Sequence, residues 1–463
     1  MHNNYNLIII GSGPSGVAAA MRSAELGLKV LLIEKDAAGG TCVNMGAVPT
    51  KALLKKAEIA WTLRNSSGQL GFSTTDFELD YKAAILHSRQ VAKTVSEHVA
   101  NELEQNGVDF LSGIARLVNK NTVEVITCEN SQAQFTADHI VIATGATPKQ
   151  VPGIETDGRI VIDYRQAVLD ETPPESVLIV GGGALGVEFA SFWNAFGVKL
   201  TIIEMMPHLV PYEDQEIGTE LEKAFTARGI RVMTSARIES IQRFADHAVV
   251  TIQGSQGNTT IRTARVLEAV NFKHNSDGLG LEMAGVKLGM NGVIETDEHL
   301  QTSIPGVWAI GDVNGKLMLA AAGREMGRYV AEKIAGLSPT PLDYENMPKI
   351  TYCHPQIASF GMTAEVARQR GHRVKVAQLP FSFNSMAICQ GDTAGWLKLI
   401  ADADTHLILG AHMIGTNVQE LLGEIILAAT NGLTLEKLER ACHGFPTLGE
   451  IIAITAHECM KGK

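Results

Sequence analysis

"YNLIIIGSGPSGVAAAMRSAELGLKVLLIE", Tyr5 to Glu34, decides the fold. It opens on a short run ending in three isoleucines, the composition of a buried strand. Gly11, Gly13 and Gly16 follow at once. An alanine-rich segment with helical spacing then runs to a glycine, and a second apolar strand ends at Glu34. The unit is strand, tight turn, helix, strand. Further along the chain it recurs: SVLIV, then GGGALG with Gly181, Gly183 and Gly186, then VEFASFWNAFG, then VKLTIIE ending at Glu204. In each copy the acid stands 23 positions after the first glycine. One such motif is a weak signal, because a bare glycine turn can produce it. Two copies in the same context, with the same acidic spacing, predict two dinucleotide sites on an α/β fold.

The chemistry behind the pattern is specific. The first glycine makes the tight turn, the second lets the backbone approach a pyrophosphate, and the third lets helix and strand pack closely. The helix start (Pro14 and Ser15 in the first copy) offers unpaired N–H groups and a partial positive charge to phosphates. Glu34, followed by Lys35, sits where an adenosine ribose would lie. Glu204 does the same in the second copy and favours NAD over NADP, since a 2′-phosphate would meet a carboxylate. Two more segments fit the first site. IVIATGATP is a strand running into the Thr144-Gly145 turn. GVWAIGDV is a strand ending at Gly311-Asp312, where a carboxylate can bond a ribityl chain.

Bulk properties narrow the class. A length of 463 residues suits roughly three domains. The net charge of −11, with no basic run, argues against nucleic acid and against an anionic membrane surface as partners. The six cysteines, Cys42, Cys128, Cys353, Cys389, Cys442 and Cys459, are scattered without a CxxC, so neither a disulfide scaffold nor a metal site is expected. The N-terminal apolar run leads straight into a glycine loop and reads as a strand, not a signal peptide. No stretch is long enough to span a membrane, and a cytoplasmic protein is expected. From about Asp343 onward the strands WLKLIAD and LILGAHMIG and the apolar helix QELLGEIILAATNG read as an α+β domain for oligomerisation.

Taken together these segments resemble the class I pyridine nucleotide–disulfide oxidoreductases, especially the dihydrolipoamide dehydrogenase and mercuric reductase branch. The likeness runs over essentially the whole chain. It implies two Rossmann-like domains and a C-terminal α+β dimerisation domain, a glutathione reductase-like architecture. The expected segments are 1–149 and 278–343 for FAD, 150–277 for NAD and 344–463 for the interface. It also implies FAD at the first site, a nicotinamide dinucleotide at the second, and a homodimer acting on a small molecule. In GGTCVNMGAVPTK, Gly39 to Lys51, Gly40 and Thr41 belong to the flavin site. Cys42 matches the cysteine that exchanges with substrate. Lys51 matches the lysine beside the flavin, and Glu188 matches its partner.

Three departures bear on the chemistry. Ala47 stands where the family has its flavin-proximal cysteine, so no dithiol relay joins flavin to Cys42. Cys442 is the one substitute worth naming, and a small apolar role suits it better. In ACHGFPTLGE, Phe445 replaces the acid–base histidine while its orienting Glu450 is kept; His443, two residues earlier, reads as structural. Asn271-Phe272 replaces the Gly-Arg of the nicotinamide loop, which puts NAD(H) use in question unless Lys273 and His274 compensate. A further change, MLAAAG in place of MLAHKA, has no evident chemistry. The expected function is an FAD-dependent oxidoreductase without a redox disulfide, moving hydride directly between flavin and an uncharged or aromatic substrate, a quinone or a nicotinamide. The alternatives are an FAD-binding assembly partner and residual dihydrolipoamide dehydrogenase activity.

Overall fold

The structure is a computed structural model and describes residues 4–65, 71, 77–127, 129–255, 257–270 and 272–461. The chain forms two compact units. The first comprises Met1–Ala52, Leu86–Lys149 and Asn271–Tyr344; the second comprises Leu53–Ile85, Gln150–Val270 and Glu345–Lys463.

In the first unit the apolar strand Asn4–Ile10 pairs in parallel with Val30–Glu34 on one side and Gln132–Ile142 on the other. Val307–Ala309 extends the sheet beyond Gln132–Ile142. Ile10 is opposite Ile142, and Ile142 is opposite Ala309. Three strands therefore end at one level, which brings three turns to one edge: Gly11–Gly16, Thr144-Gly145 and Gly311-Asp312. Ligands of parallel sheets bind at this carboxyl edge. Ile8, Ile10, Leu31, Ile33, Ile140 and Val307 fill the core beneath it.

Helix Pro14–Glu25 packs on helix Ala320–Ile334 through small residues. A Cβ added at Gly327 would lie 2.3 Å from the Ser15 carbonyl oxygen, and one at Gly323 would lie 3.3 Å from the Ser15 Cβ. The small residues of MLAAAG thus have a packing explanation where the sequence offered no chemical one: the helix begins at Ala320, and Gly323 allows the close approach.

The second unit holds the other glycine motif. Its parallel sheet runs in the order Arg231–Met233, Lys199–Ile203, Ser176–Val180, Arg265–Glu268, Val161–Ile162. A three-stranded antiparallel sheet, Arg237–Thr263, accompanies it. The C-terminal part is a five-stranded antiparallel sheet with Trp396–Asp402 and Ile408–Gly415 at its heart, packed with helices Val418–Thr430 and Glu450–Lys461. Trp396 is buried. Buried Lys398 on the same strand pairs with Asp214 at 2.9 Å.

One core residue breaks the apolar pattern. Glu268 ends the inner strand Arg265–Glu268, opposite Val180, and is 3% exposed. It shares a strand face with Val266, which belongs to the apolar cluster of Ile154, Leu178 and Val180. Neither carboxyl oxygen has a hydrogen-bond partner among the described residues. Burial, with Asp163 and Glu155 nearby, outweighs the pull of the Val151 backbone N–H and pushes this carboxyl up from 4.5 to about 7. The folded chain therefore keeps a proton that the unfolded chain releases from about 4.5 upward, and stability falls as pH rises from there to about 7. Glu268→Gln should match the parent in denaturant melts at about pH 4 and exceed it by about 2 kcal/mol at about pH 8. Parallel stability curves across that range would contradict the assignment.

Candidate functional site

The two glycine loops are near copies. Gly11 and Gly181 have φ of 106° and 107°, and a Cβ on either would lie 2.5 Å from a neighbour, Ala143 O and Val270 Cγ1 respectively. A Cβ at Gly16 would stand 1.9 Å from Gly11 O, and one at Gly186 would stand 2.0 Å from Gly181 O. Only glycine lets the helix return this closely over its own turn. The middle residues differ in kind: a Cβ at Gly13 or Gly183 would meet nothing within 4 Å. Both helices, Pro14–Glu25 and Ala184–Ala195, start at these glycines with no side-chain cap and no acid in the first turn. Free N–H groups facing open space at a sheet's carboxyl edge fit a pyrophosphate.

The two acids serve the loops as well. Glu34 Oε2 accepts from Ser12 N–H at 2.8 Å and Ser12 Oγ–H at 2.7 Å, and Oε1 accepts from Asp36 N–H at 3.0 Å. Glu204 accepts from Gly182 N–H and Met206 N–H, both at 2.7 Å. A carboxylate has about four acceptor positions, so each acid can hold its loop and still accept from a ribose. Lys35, beside Glu34, is exposed.

The other two turns of the first site are bound by residues that motif reading missed. Asn275 Nδ2 donates to Thr144 O at 2.9 Å, Thr144 Oγ1 donates to Asn275 O at 2.7 Å, and Asn275 N–H donates to Gly145 O at 3.0 Å. His274 is buried, with Nδ1 2.6 Å from the Asp312 carbonyl oxygen. Lys273 pairs with Asp277. The suggested compensation for a lost nicotinamide-loop cation is therefore corrected: His274 holds the Gly311-Asp312 turn, and Lys273 is engaged by a neighbouring acid. Asn271 lies outside the described residues. Phe272 is 39% exposed, opposite Pro148 in a two-stranded ribbon. Gly311 has φ of 70° and donates its N–H to Met326 Sδ at 3.2 Å. Burial pushes the Asp312 carboxyl up, and His274 pulls it back.

Cys42 lies in the short helix Gly40–Asn44, entered through left-handed Gly39, and Thr41 beside it is exposed. A Cβ at Gly40 would be 2.9 Å from Gly13 Cα, so this helix sits directly on the first glycine loop. Cys42 is a free, partly buried thiol. Burial pushes it up; Lys51, the Ala47 backbone N–H and Arg324 pull it down, and Asp312 raises it. Ala47 starts helix Ala47–Asn65, which carries Lys51 one turn on. The other cysteines among the described residues, Cys353, Cys389, Cys442 and Cys459, belong to the second unit; Cys128 lies outside the described residues.

Further predicted residues lie in the second unit. Glu188, buried in helix Ala184–Ala195, accepts from Tyr352 N–H at 2.9 Å. Glu450 accepts from Thr447 N–H at 3.0 Å and so fixes the loop that bears Phe445, which is 78% exposed. His443 Nε2 lies 3.1 Å from both carboxyl oxygens of Glu424, in keeping with a structural role. Among the described residues no group of side chains could hold a metal ion, and no helix is long and apolar enough to cross a membrane.

This geometry has known counterparts. Residues 5–327 match the pyridine nucleotide-disulphide oxidoreductase family, and residues 347–456 match its dimerisation domain. The chain belongs to this family, and its fold is the two-dinucleotide-domain architecture with a C-terminal interface domain. It is 38% identical to dihydrolipoyl dehydrogenase of Mycobacterium leprae over 463 residues, covering 99% of this chain and 98% of the relative. It is likewise 38% identical to the Zymomonas mobilis dihydrolipoyl dehydrogenase over 454 residues, 97% of each chain. The crystal structure of LpdA from Mycobacterium tuberculosis superposes with a TM-score of 0.92 at 26% identity, covering 98% of this chain and 100% of that one. RclA, an HOCl-induced flavoprotein disulfide reductase from Escherichia coli, superposes at 0.86 with 27% identity over 98% and 99%. The protein is thus an FAD-dependent oxidoreductase of the dihydrolipoyl dehydrogenase-like flavoprotein group, in which NAD(H) accompanies FAD.

Asn275 offers a test of the flavin cradle. Asn275→Ala removes the side-chain bonds to Thr144 O and from Thr147 Oγ1, and should weaken FAD retention roughly tenfold, measured by reconstitution of the apoprotein. Unchanged FAD affinity would show that the Thr144-Gly145 turn needs no such clamp.

Proposed function

We propose that the enzyme passes reducing equivalents from NADH by way of FAD directly to a small organic acceptor such as a quinone, without a dithiol relay. The observation that carries this is Cys42 standing as a free thiol beside Ala47, with the remaining described cysteines in the other unit. Burial holds that thiol protonated, which suits a wall of the site better than a nucleophile. The exposed Phe445, with no exchangeable proton, supports the same reading.

When bound, FAD supplies hydride acceptance and donation; the chain supplies the setting. Gly11, Gly13, Pro14, Ser15 and Gly16 would hold its pyrophosphate, with Glu34 and Lys35 at its ribose. Gly40, Thr41, Thr144, Gly145, Gly311 and Asp312 would line the remainder. Lys51 would place a cation by the reactive edge, with Glu188 tuning it. Gly181, Gly183, Gly186 and Glu204 would hold NADH. A homodimer, a cytoplasmic setting and the four-segment domain division given above complete the proposal. Dihydrolipoyl dehydrogenase activity is favoured by the names of the relatives, and its dithiol chemistry lacks a second sulfur here.

Anaerobic titration tests the proposal. NADH should bleach the flavin band with no long-wavelength thiolate–flavin charge-transfer absorbance, and a quinone should restore the oxidised spectrum. Ala47→Cys should introduce the charge-transfer band. Flavin untouched by NADH and NADPH would favour the assembly-partner alternative; NADH formation from dihydrolipoamide above the diaphorase background would overturn the direct route.

A further inference from the structure

A groove of about 660 Å³ opens beside Cys42. Its volume suits one small organic molecule. Val17, Met21, Val43, Val99 and Ala320 supply apolar wall, and Gly39 and Pro14 join it to the first glycine loop. Charged side chains also line it, so the groove suits more than the uncharged or aromatic substrate expected from sequence. Resting on the acceptor function proposed above, we propose that Arg324 anchors an anionic group on the acceptor, so that the groove takes a flat, largely apolar oxidant bearing a carboxylate or sulfonate.

The ion pairs single out this arginine. Arg22 donates from Nε to Glu332 at 2.9 Å and from Nη1 to Glu25 at 3.0 Å, and its Nη2 lies 2.8 Å from Glu332. Two of the groove's acids are thereby engaged, with one guanidinium offsetting one of their two charges. Arg328 is paired with Glu325 at 3.5 Å. Arg324 is exposed on the groove wall and makes no ion pair or side-chain hydrogen bond among the described residues. Glu102, on the same wall, is exposed. Arg324 and Cys42 line the same groove, and the guanidinium is one of the groups that pull the thiol down against its burial. Arg324 is also well mounted. Its helix is held against Pro14–Glu25 by the close contacts at Gly323 and Gly327, so its Cα cannot drift. A guanidinium offers two parallel donors to a carboxylate or sulfonate, while the apolar wall accepts the ring.

Two measurements on the flavin-loaded protein test this, with Arg324→Gln and Arg324→Glu beside the parent. The first reads Cys42 without turnover. Its thiolate sulfur displaces iodide from iodoacetate or iodoacetamide, forming one S–C bond and breaking one C–I bond. Peptide mass spectrometry gives the ratio of the two rates, in which any change of thiol ionisation cancels. That ratio should fall several-fold at Cys42 in Arg324→Gln, further in Arg324→Glu, and stay constant at exposed Cys389. An unchanged ratio at Cys42 overturns the proposal. The second uses naphthoquinone and its sulfonate as acceptors. NADH, a proton and the quinone give NAD⁺ and the hydroquinone, two electrons passing from one to the other. The sulfonate-to-neutral ratio of kcat/KM should fall about tenfold in Arg324→Gln, the scale of a charge-assisted hydrogen bond in a half-open groove. If neither quinone is reduced while the alkylation ratio falls, the function proposed above fails and the anion site stands.

Discussion

The flavin side of this molecule depends on one steric constraint: helix Pro14–Glu25 must return over its own entry turn with no Cβ between. Gly16 meets Gly11 O at a distance that no side chain could share. The helix's uncapped N-terminus is then aimed at the carboxyl edge of the sheet. Glu34 locks the turn through Ser12, and the Cys42 helix sits on Gly13. The same helix packs against Gly323 and Gly327, which places Arg324 and the groove. Loop, thiol and groove are thus mounted on one close-packed pair of helices.

The second glycine loop repeats this solution. Its carboxylate, Glu204, binds the loop backbone as Glu34 does, with Gly182 in place of Ser12. The physical roles are duplicated even though the flanking residues differ. Divergence concentrates elsewhere: at Ala47, at Phe445 and around residues 271–272. The two glycine loops share their backbone geometry, while Ala47 and Phe445 depart from the family pattern. A flavin enzyme whose acceptor side has changed is consistent with that distribution.

Much of the site was legible along the chain because glycine loops, helix starts and strand ends are local. Gly11, Gly13, Gly16, Glu34 and their counterparts act through backbone geometry within one βαβ unit, and sequence spacing reports that directly. Asn275, His274 and Arg324 were not legible. Each acts on residues tens to hundreds of positions away, as when Asn275 clamps Thr144. His274 was expected to serve the nicotinamide loop and instead holds the Asp312 turn, because the ribbon Phe272–His274 pairs with Ala146–Pro148 and turns it toward the flavin side.

The sequence by itself determined the two dinucleotide folds and the identities of Ala47 and Phe445, neither of which carries a thiol or an exchangeable side-chain proton. These follow from residue identity and short-range spacing, which no packing can alter. Only the tertiary structure decided which charges are compensated. Arg22, Arg324 and Arg328 look alike on one-dimensional inspection; Arg328 pairs within its own helix with Glu325, Arg22 meets Glu332 from a helix some 310 positions away, and Arg324 is left without an ion pair among the described residues. Glu268 likewise reads as an ordinary strand residue until the sheet buries it. Charge and solvation depend on the full set of neighbours, and that set exists only once the chain has folded.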